Sequence, residues 1–211
     1  MSSNRREEII MAALELAAKK GIEGVSMSMI ADKVGIKKPS IYKHFGSRDE
    51  IVEAMYSFLR DKARDASNIT PVDYRAMFSG KTAYEILRQV VDGYIDMNSR
   101  EYMQMFYSVI YSGRCRQSVA AGIMAEETDK MINATRQLFY AMEVHNILHF
   151  NNADMSAVSF AMTVHGLMDY KNDIEGGQYQ CSGSAAELLD EYIRWFCSEN
   201  AVNYNRAGGM M

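Results

Sequence analysis

Lys37, Lys38, Ser40, Tyr42, Lys43 and His44 fall within one short run between Gly35 and Phe45. Ammonium groups, hydroxyls and an imidazole crowded in this way suit phosphate oxygens and base edges, the two kinds of atom that a nucleic acid offers a protein. The residues interleaved with them are apolar. Ile41 and Phe45 stand four apart, the spacing that puts two side chains on one side of a helical turn. Ser40, Tyr42, Lys43 and His44 are then left on the outer face. A short, basic, hydroxyl-bearing helix is what major-groove reading requires.

Such a helix needs a scaffold, and the flanking residues supply one. Met29, Ile30 and Val34 give the preceding segment a single apolar face, and Gly35 ends it by taking the left-handed conformation that glycine tolerates. Ser26 stands where an N-cap belongs, and a helix start facing DNA would also bring it near a phosphate. Pro39 suits a first helical position, having no N–H to leave unpaired. Upstream, Ile9, Ile10, Ala13, Leu14 and Ala17 predict a helix from about residue 4 to Lys20, closed by Gly21. Downstream, Ser47 and Glu50 have the capping-box spacing, so a further helix is expected to run to about Ala66, roughly 28 Å at 1.5 Å per residue.

Charge divides the chain in the same place. Residues 1–48 hold nine Lys and Arg against five Asp and Glu, a balance of +4, whereas the whole chain has −4, which leaves −8 for the remainder. A basic head on an acidic body fits a DNA-binding module joined to something else. Lys37, Lys38 and Lys43 carry that reading, while Arg5, Arg6, Lys19 and Lys20 read as a solvated charged face. The 211 residues suffice for a large core without staples. Three widely spaced cysteines, Cys115, Cys181 and Cys197, read as reduced thiols. No run of about 18 apolar residues and no cleavable leader is visible, so a soluble cytoplasmic protein is expected.

Catalytic patterns fail one by one. Gly80-Lys81-Thr82 lacks the glycine that a phosphate loop needs five positions earlier, where Arg75 stands. His145 and His149 are four apart with no third ligand nearby, and neither a nucleophile elbow nor HExxH occurs. Neither enzyme activity, nor a metal, nor a cofactor is expected.

From Thr82 onward the apolar period is helical throughout: Ala83 to Tyr94, then Tyr102 to Ile110, then a long segment from about Gln117 to His145. Met155 to about Glu175 is apolar on two faces and is expected to be buried on both. Ser184 to Ser198 closes the series. The interval from Ser67 to Gly80 reads as loop. The fold class expected is all-α, with about nine helices: a three-helix helix-turn-helix domain over 1–47 and a larger helical domain over 48–211. Seventeen methionines and thirteen tyrosines suggest a soft interior able to hold an apolar or aromatic ligand. Tyr94, Tyr102, Phe106, Met131, Phe139 and His165 are the pocket candidates, although side chains so spaced also read as plain core.

Ser26, Ile30-Ala31, Val34-Gly35-Ile36, Ile41-Tyr42, His44-Phe45 and Arg48 together resemble the head of the tetracycline-repressor (TetR/AcrR-type) family of bacterial transcription regulators. The likeness covers about residues 7–55. It implies a helix-turn-helix head, a helical body that binds a small molecule, and pairing with a second copy through the last two helices. It also implies phosphate contact by Tyr42, further backbone contacts by His44 and Arg48, and groove-facing positions at Lys38, Ser40 and Lys43. Lys37 replaces a hydroxyl cap common in the family, and Ser28 replaces a longer polar side chain. The expectation is a homodimeric, ligand-responsive regulator on a near-palindromic operator, a repressor released by its effector. A ligand-dependent activator and a helical protein-interaction module are the alternatives.

Overall fold

In the computed structural model, which describes residues 2–66, 72–177 and 184–202, the chain is helical throughout. Ten α-helices follow one another: α1 (Ser2–Lys20), α2 (Met27–Val34), α3 (Lys38–Ile41), α4 (Arg48–Ala66), α5 (Tyr74–Phe78), α6 (Ala83–Ser99), α7 (Glu101–Gly113), α8 (Ser118–Val144), α9 (Ala153–Gly176) and α10 (Ala185–Glu199). A single 3-10 turn, Ile22–Gly24, joins α1 to α2. Extended pairing among the described residues is limited to one bridge, Leu148 with Ala201. The helix beyond the nine expected is α5, started by Asp73, whose carboxylate accepts from the Ala76 N–H at 3.1 Å. It occupies the second half of the interval read as loop; residues 67–71 of that interval, and Cys181, lie outside the described residues.

Two compact units divide the chain. The first comprises Met1–Thr70 with Asn98–Glu127, the second Pro71–Met97 with Thr128–Met211. In the first, α1 packs on α2, α4 and α7, and α2 on α3. Its core joins Ile9, Leu14, Ile30, Ile41, Phe45, Ile51, Met55, Tyr56 and Leu59 to Phe106, Val109 and Ile110 of α7 and to Ile123 of α8. In the second, Phe139, Phe150, Phe160 and Phe196 form an aromatic cluster with ring centroids 4.6–6.1 Å apart. Ile86, Leu87, Val91 and Ile193 surround it.

Helix α9 departs from the expectation of burial on both faces. Ala157, Phe160, Ala161 and Val164 are buried, but Met155, Met162 and Tyr170 face outward. Spaced seven and eight apart, these three form one stripe along the helix. Met155 is 60% exposed and Trp195 of α10 56%.

Candidate nucleic-acid interface

The helix-turn-helix is built by the local rules its sequence suggests. Ser26 is the N-cap of α2, its Oγ accepting from the Met29 N–H at 3.3 Å. At the other end Gly35 has φ 73° and ψ 32°, the Ile36 N–H bonds the Ala31 carbonyl at 3.0 Å, and the Gly35 N–H bonds Asp32 at 3.2 Å. This six-to-one and five-to-two pair is a Schellman closure, and it returns Ile36 toward the core as the motif requires. Helix α3 is short. Its regular part spans Lys38–Ile41 with Pro39 in its first turn, and the turn is prolonged by bonds from the Lys43 N–H to Ser40 and from the His44 and Phe45 N–H groups to Ile41. Lys37 precedes it without a side-chain capping bond, the consequence of a lysine where a hydroxyl would accept.

Burial separates the two faces of this turn. Ile41 and Phe45 are fully enclosed, while Tyr42 is 49% exposed and Lys37, Lys38 and Lys43 are exposed beside it. Ser40 and His44 are half-buried, and Ser26 and Ser28 are exposed on α2. Among the described residues Lys37, Lys38 and Lys43 have no ion pair, so their ammonium groups are available to an outside anion. Arg48 is different. Its Nε donates to the Val25 carbonyl at 2.8 Å, its Nη2 donates to the Ile22 carbonyl, and it lies 3.9 Å from a Glu23 oxygen and 3.5 Å from Asp49.

Arg6, read from the sequence as a solvated charge, packs instead on this site. Its guanidinium lies 4.0 Å over the Phe45 ring, donates to the His44 carbonyl and approaches Glu50 at 3.6 Å. A partner 38 residues away in sequence leaves no local pattern to find. The capping box at α4 forms with a shift. The Glu50 N–H donates to Ser47 Oγ at 3.1 Å, but the Glu50 carboxylate accepts from Gly46 at 2.6 Å rather than from Ser47.

The ligand-pocket candidates divide between the units. Phe106 belongs to the core of the first. The side chain of Tyr102 lies outside the described residues. In the second unit Phe139 is sealed in the aromatic cluster, and Met131 is half-buried. Tyr94 and His165 come together, Oη to Nδ1 3.4 Å, with Asp169 3.8 Å from the other ring nitrogen.

Comparison with known proteins places this geometry. Residues 9–55 match the family described as bacterial regulatory proteins, tetR family. The nucleoid occlusion factor SlmA of Yersinia enterocolitica is 24% identical over 142 residues, 67% of this chain and 63% of that protein. The HTH-type transcriptional activator FasR of Mycolicibacterium smegmatis is 28% identical over 105 residues, 48% of this chain and 45% of that one. The matched region is thus under two thirds of either relative's length. Two solved structures share the fold. A protein assigned to the TetR family from Mesorhizobium loti superposes with TM-score 0.64 at 20% identity, covering 96% of this chain and 99% of its own. A transcriptional regulator of Saccharomonospora viridis solved with choline gives 0.66 at 18%, covering 95% and 99%. No described helix is long and apolar enough to cross a membrane. The match to the tetR family of bacterial regulatory proteins thus lies in the head, over residues 9–55, and the fold of the whole described chain is the one these two solved structures share.

Proposed function

We propose that this chain is a cytoplasmic, homodimeric repressor whose 1–47 head binds a near-palindromic operator and whose 48–211 body binds a small apolar or aromatic effector that releases it. The observation that carries the reading is the turn around α3, sealed on one side by Ile41 and Phe45 and open on the other with Tyr42 and three lysines that have no ion pair among the described residues. Lys37, Lys38, Ser40, Tyr42, Lys43 and His44 face the groove and its phosphates, with Ser26 and Ser28 at the start of α2 beside them. Two heads occupy successive major grooves about 34–36 Å apart.

The outward stripe of Met155, Met162 and Tyr170 on α9, with Leu188 and Trp195 seven apart on α10, supports pairing through these two helices. An exposed apolar surface of this kind on a soluble chain marks an interface. Tyr94 and His165 offer a polar anchor for an effector within the second unit. The effector acts only through its differential affinity for two states, so operator DNA weakens effector binding by the same factor. An activator is the second reading, favoured by the partial likeness to FasR.

Gel-shift titration against a duplex selected from a random-sequence pool tests the proposal. Tyr42→Ala and Lys43→Ala should each bind it more weakly than the parent. Parent-like binding by both would remove α3 as the reading element.

A further inference from the structure

We propose that Arg6 and Arg48 aim the DNA-reading face rather than touch DNA, Arg48 fixing where that face begins and Arg6 fixing where it ends. The inference rests on the DNA reading above and reassigns Arg48, which the family resemblance marks as a phosphate contact. Arg48 projects from α4 onto the backbone just ahead of Ser26, bonding the Val25 and Ile22 carbonyls. Those carbonyls set the approach to the Ser26 cap and hence the first turn of α2. Arg6 projects from α1 onto the other end. It bonds the carbonyl of His44, itself an outer-face residue, and covers the ring of Phe45, the last buried anchor of the turn. Glu50 completes this end, one carboxylate oxygen facing Arg6 and the other accepting from the Gly46 N–H.

Both roles depend on a guanidinium. Arg48 uses two nitrogens of one planar fork on two carbonyls, and Arg6 stacks on a ring while donating in its own plane. A lysine keeps the charge and has three donors, but its single nitrogen cannot occupy the two positions that the planar fork does, nor can it lie flat on a ring. A phosphate contact, in contrast, keeps its charge neutralisation and its salt slope on the exchange, because an ammonium also neutralises a phosphate. Charge-preserving substitution therefore separates aiming from direct binding.

The experiment uses the full chain with Arg6→Lys, Arg6→Met, Arg48→Lys and Arg48→Met. Each is titrated, across a range of salt, with a duplex selected from a random-sequence pool and with a scrambled duplex of equal length. All four should bind the selected duplex about tenfold more weakly or worse. Their affinity for the scrambled duplex and their salt slopes should match the parent's. Lysine variants that bind like the parent, with methionine variants whose salt slope falls, would make these arginines phosphate contacts and overturn the proposal. Loss of the folded circular dichroism spectrum by all four at the assay temperature would also overturn it, because the pair would then hold the head together rather than aim it. A parent that prefers no selected duplex over the scrambled one overturns the DNA reading and the aiming role with it.

Discussion

Gly113, the last residue of α7, is the glycine at which an added Cβ would be most crowded among those described. A Cβ built there would lie 2.4 Å from Tyr56 Oη, 3.3 Å from Ala120 Cβ and 3.4 Å from Ile22 Cδ1. Tyr56 is 1% exposed, and its hydroxyl has no hydrogen-bond partner. A buried ring with few rotamers cannot swing aside as a lysine could. Two effects therefore compete in Gly113→Ala. Helix propensity favours alanine by about 1 kcal/mol. Overpacking costs about 1–3 kcal/mol, and here it should win, leaving the variant about 1–2 kcal/mol less stable. Tyr56→Phe deletes the clashing atom together with a buried hydroxyl that lacks a partner, so alone it should be neutral or stabilising by about 1 kcal/mol. Introduced together with Tyr56→Phe, Gly113→Ala should then become neutral or favourable. The double-mutant cycle should give a coupling of about 2 kcal/mol. Urea unfolding followed by far-ultraviolet circular dichroism, at one fixed protein concentration because the proposed pairing would make stability depend on it, reads all four corners. Independent, additive effects, or a Gly113→Ala protein as stable as the parent, would refute the argument.

The same tyrosine gives a pH dependence. Burial, helped by the charge of Glu23, pushes the Tyr56 phenol from 10.0 up to about 12. The unfolded chain sheds this proton first, so the contribution is complete below pH 10 and is lost as pH rises toward 12. Tyr56→Phe should flatten that alkaline loss in stability measured against pH. Burial likewise pushes the Cys197 thiol from 9.0 up to about 11, so mass-spectrometric mapping should find Cys115, which is exposed, alkylated well before Cys197. Trp195 is the chain's one tryptophan, and its emission reports on the outer face of α10. Trp195→Glu should shift sedimentation from dimer to monomer, and in the parent dilution should move the emission to the red. A variant still dimeric would move the interface elsewhere.

Much of this structure could be read from local pattern. The apolar stripes that mark α1, α6 and α10 repeat over three turns or more, and several helix ends carry residues that act within three positions, as Ser26 and Gly35 do for α2, Asn152 for α9 and Ser184 for α10. Helix α5 is only five residues long, too short for any period to show. The sharing of α8 between two units leaves no mark either, because its stripe of Met124, Met131, Leu138 and Phe139 continues unbroken through the boundary. At the proposed DNA-facing site the side chains were legible because they crowd together in sequence. Their supports were not. Arg6 reaches 38 residues to His44, and Arg48 reaches back 23 and 26 residues to Val25 and Ile22, and an arginine with distant partners looks in sequence like any surface charge. The apolar second face of α9 was visible, but a single chain shows it open.

The most direct test of the DNA-facing assignment is the salt dependence of affinity for a selected duplex, measured for the parent and for Lys43→Ala. Each phosphate left without its ammonium should reduce the slope of log affinity against log salt by about 0.9, so a dimer changed in both heads should fall by about 2. A slope and an affinity that Lys43→Ala leaves unchanged would contradict the claim that the exposed face of α3 meets the phosphates.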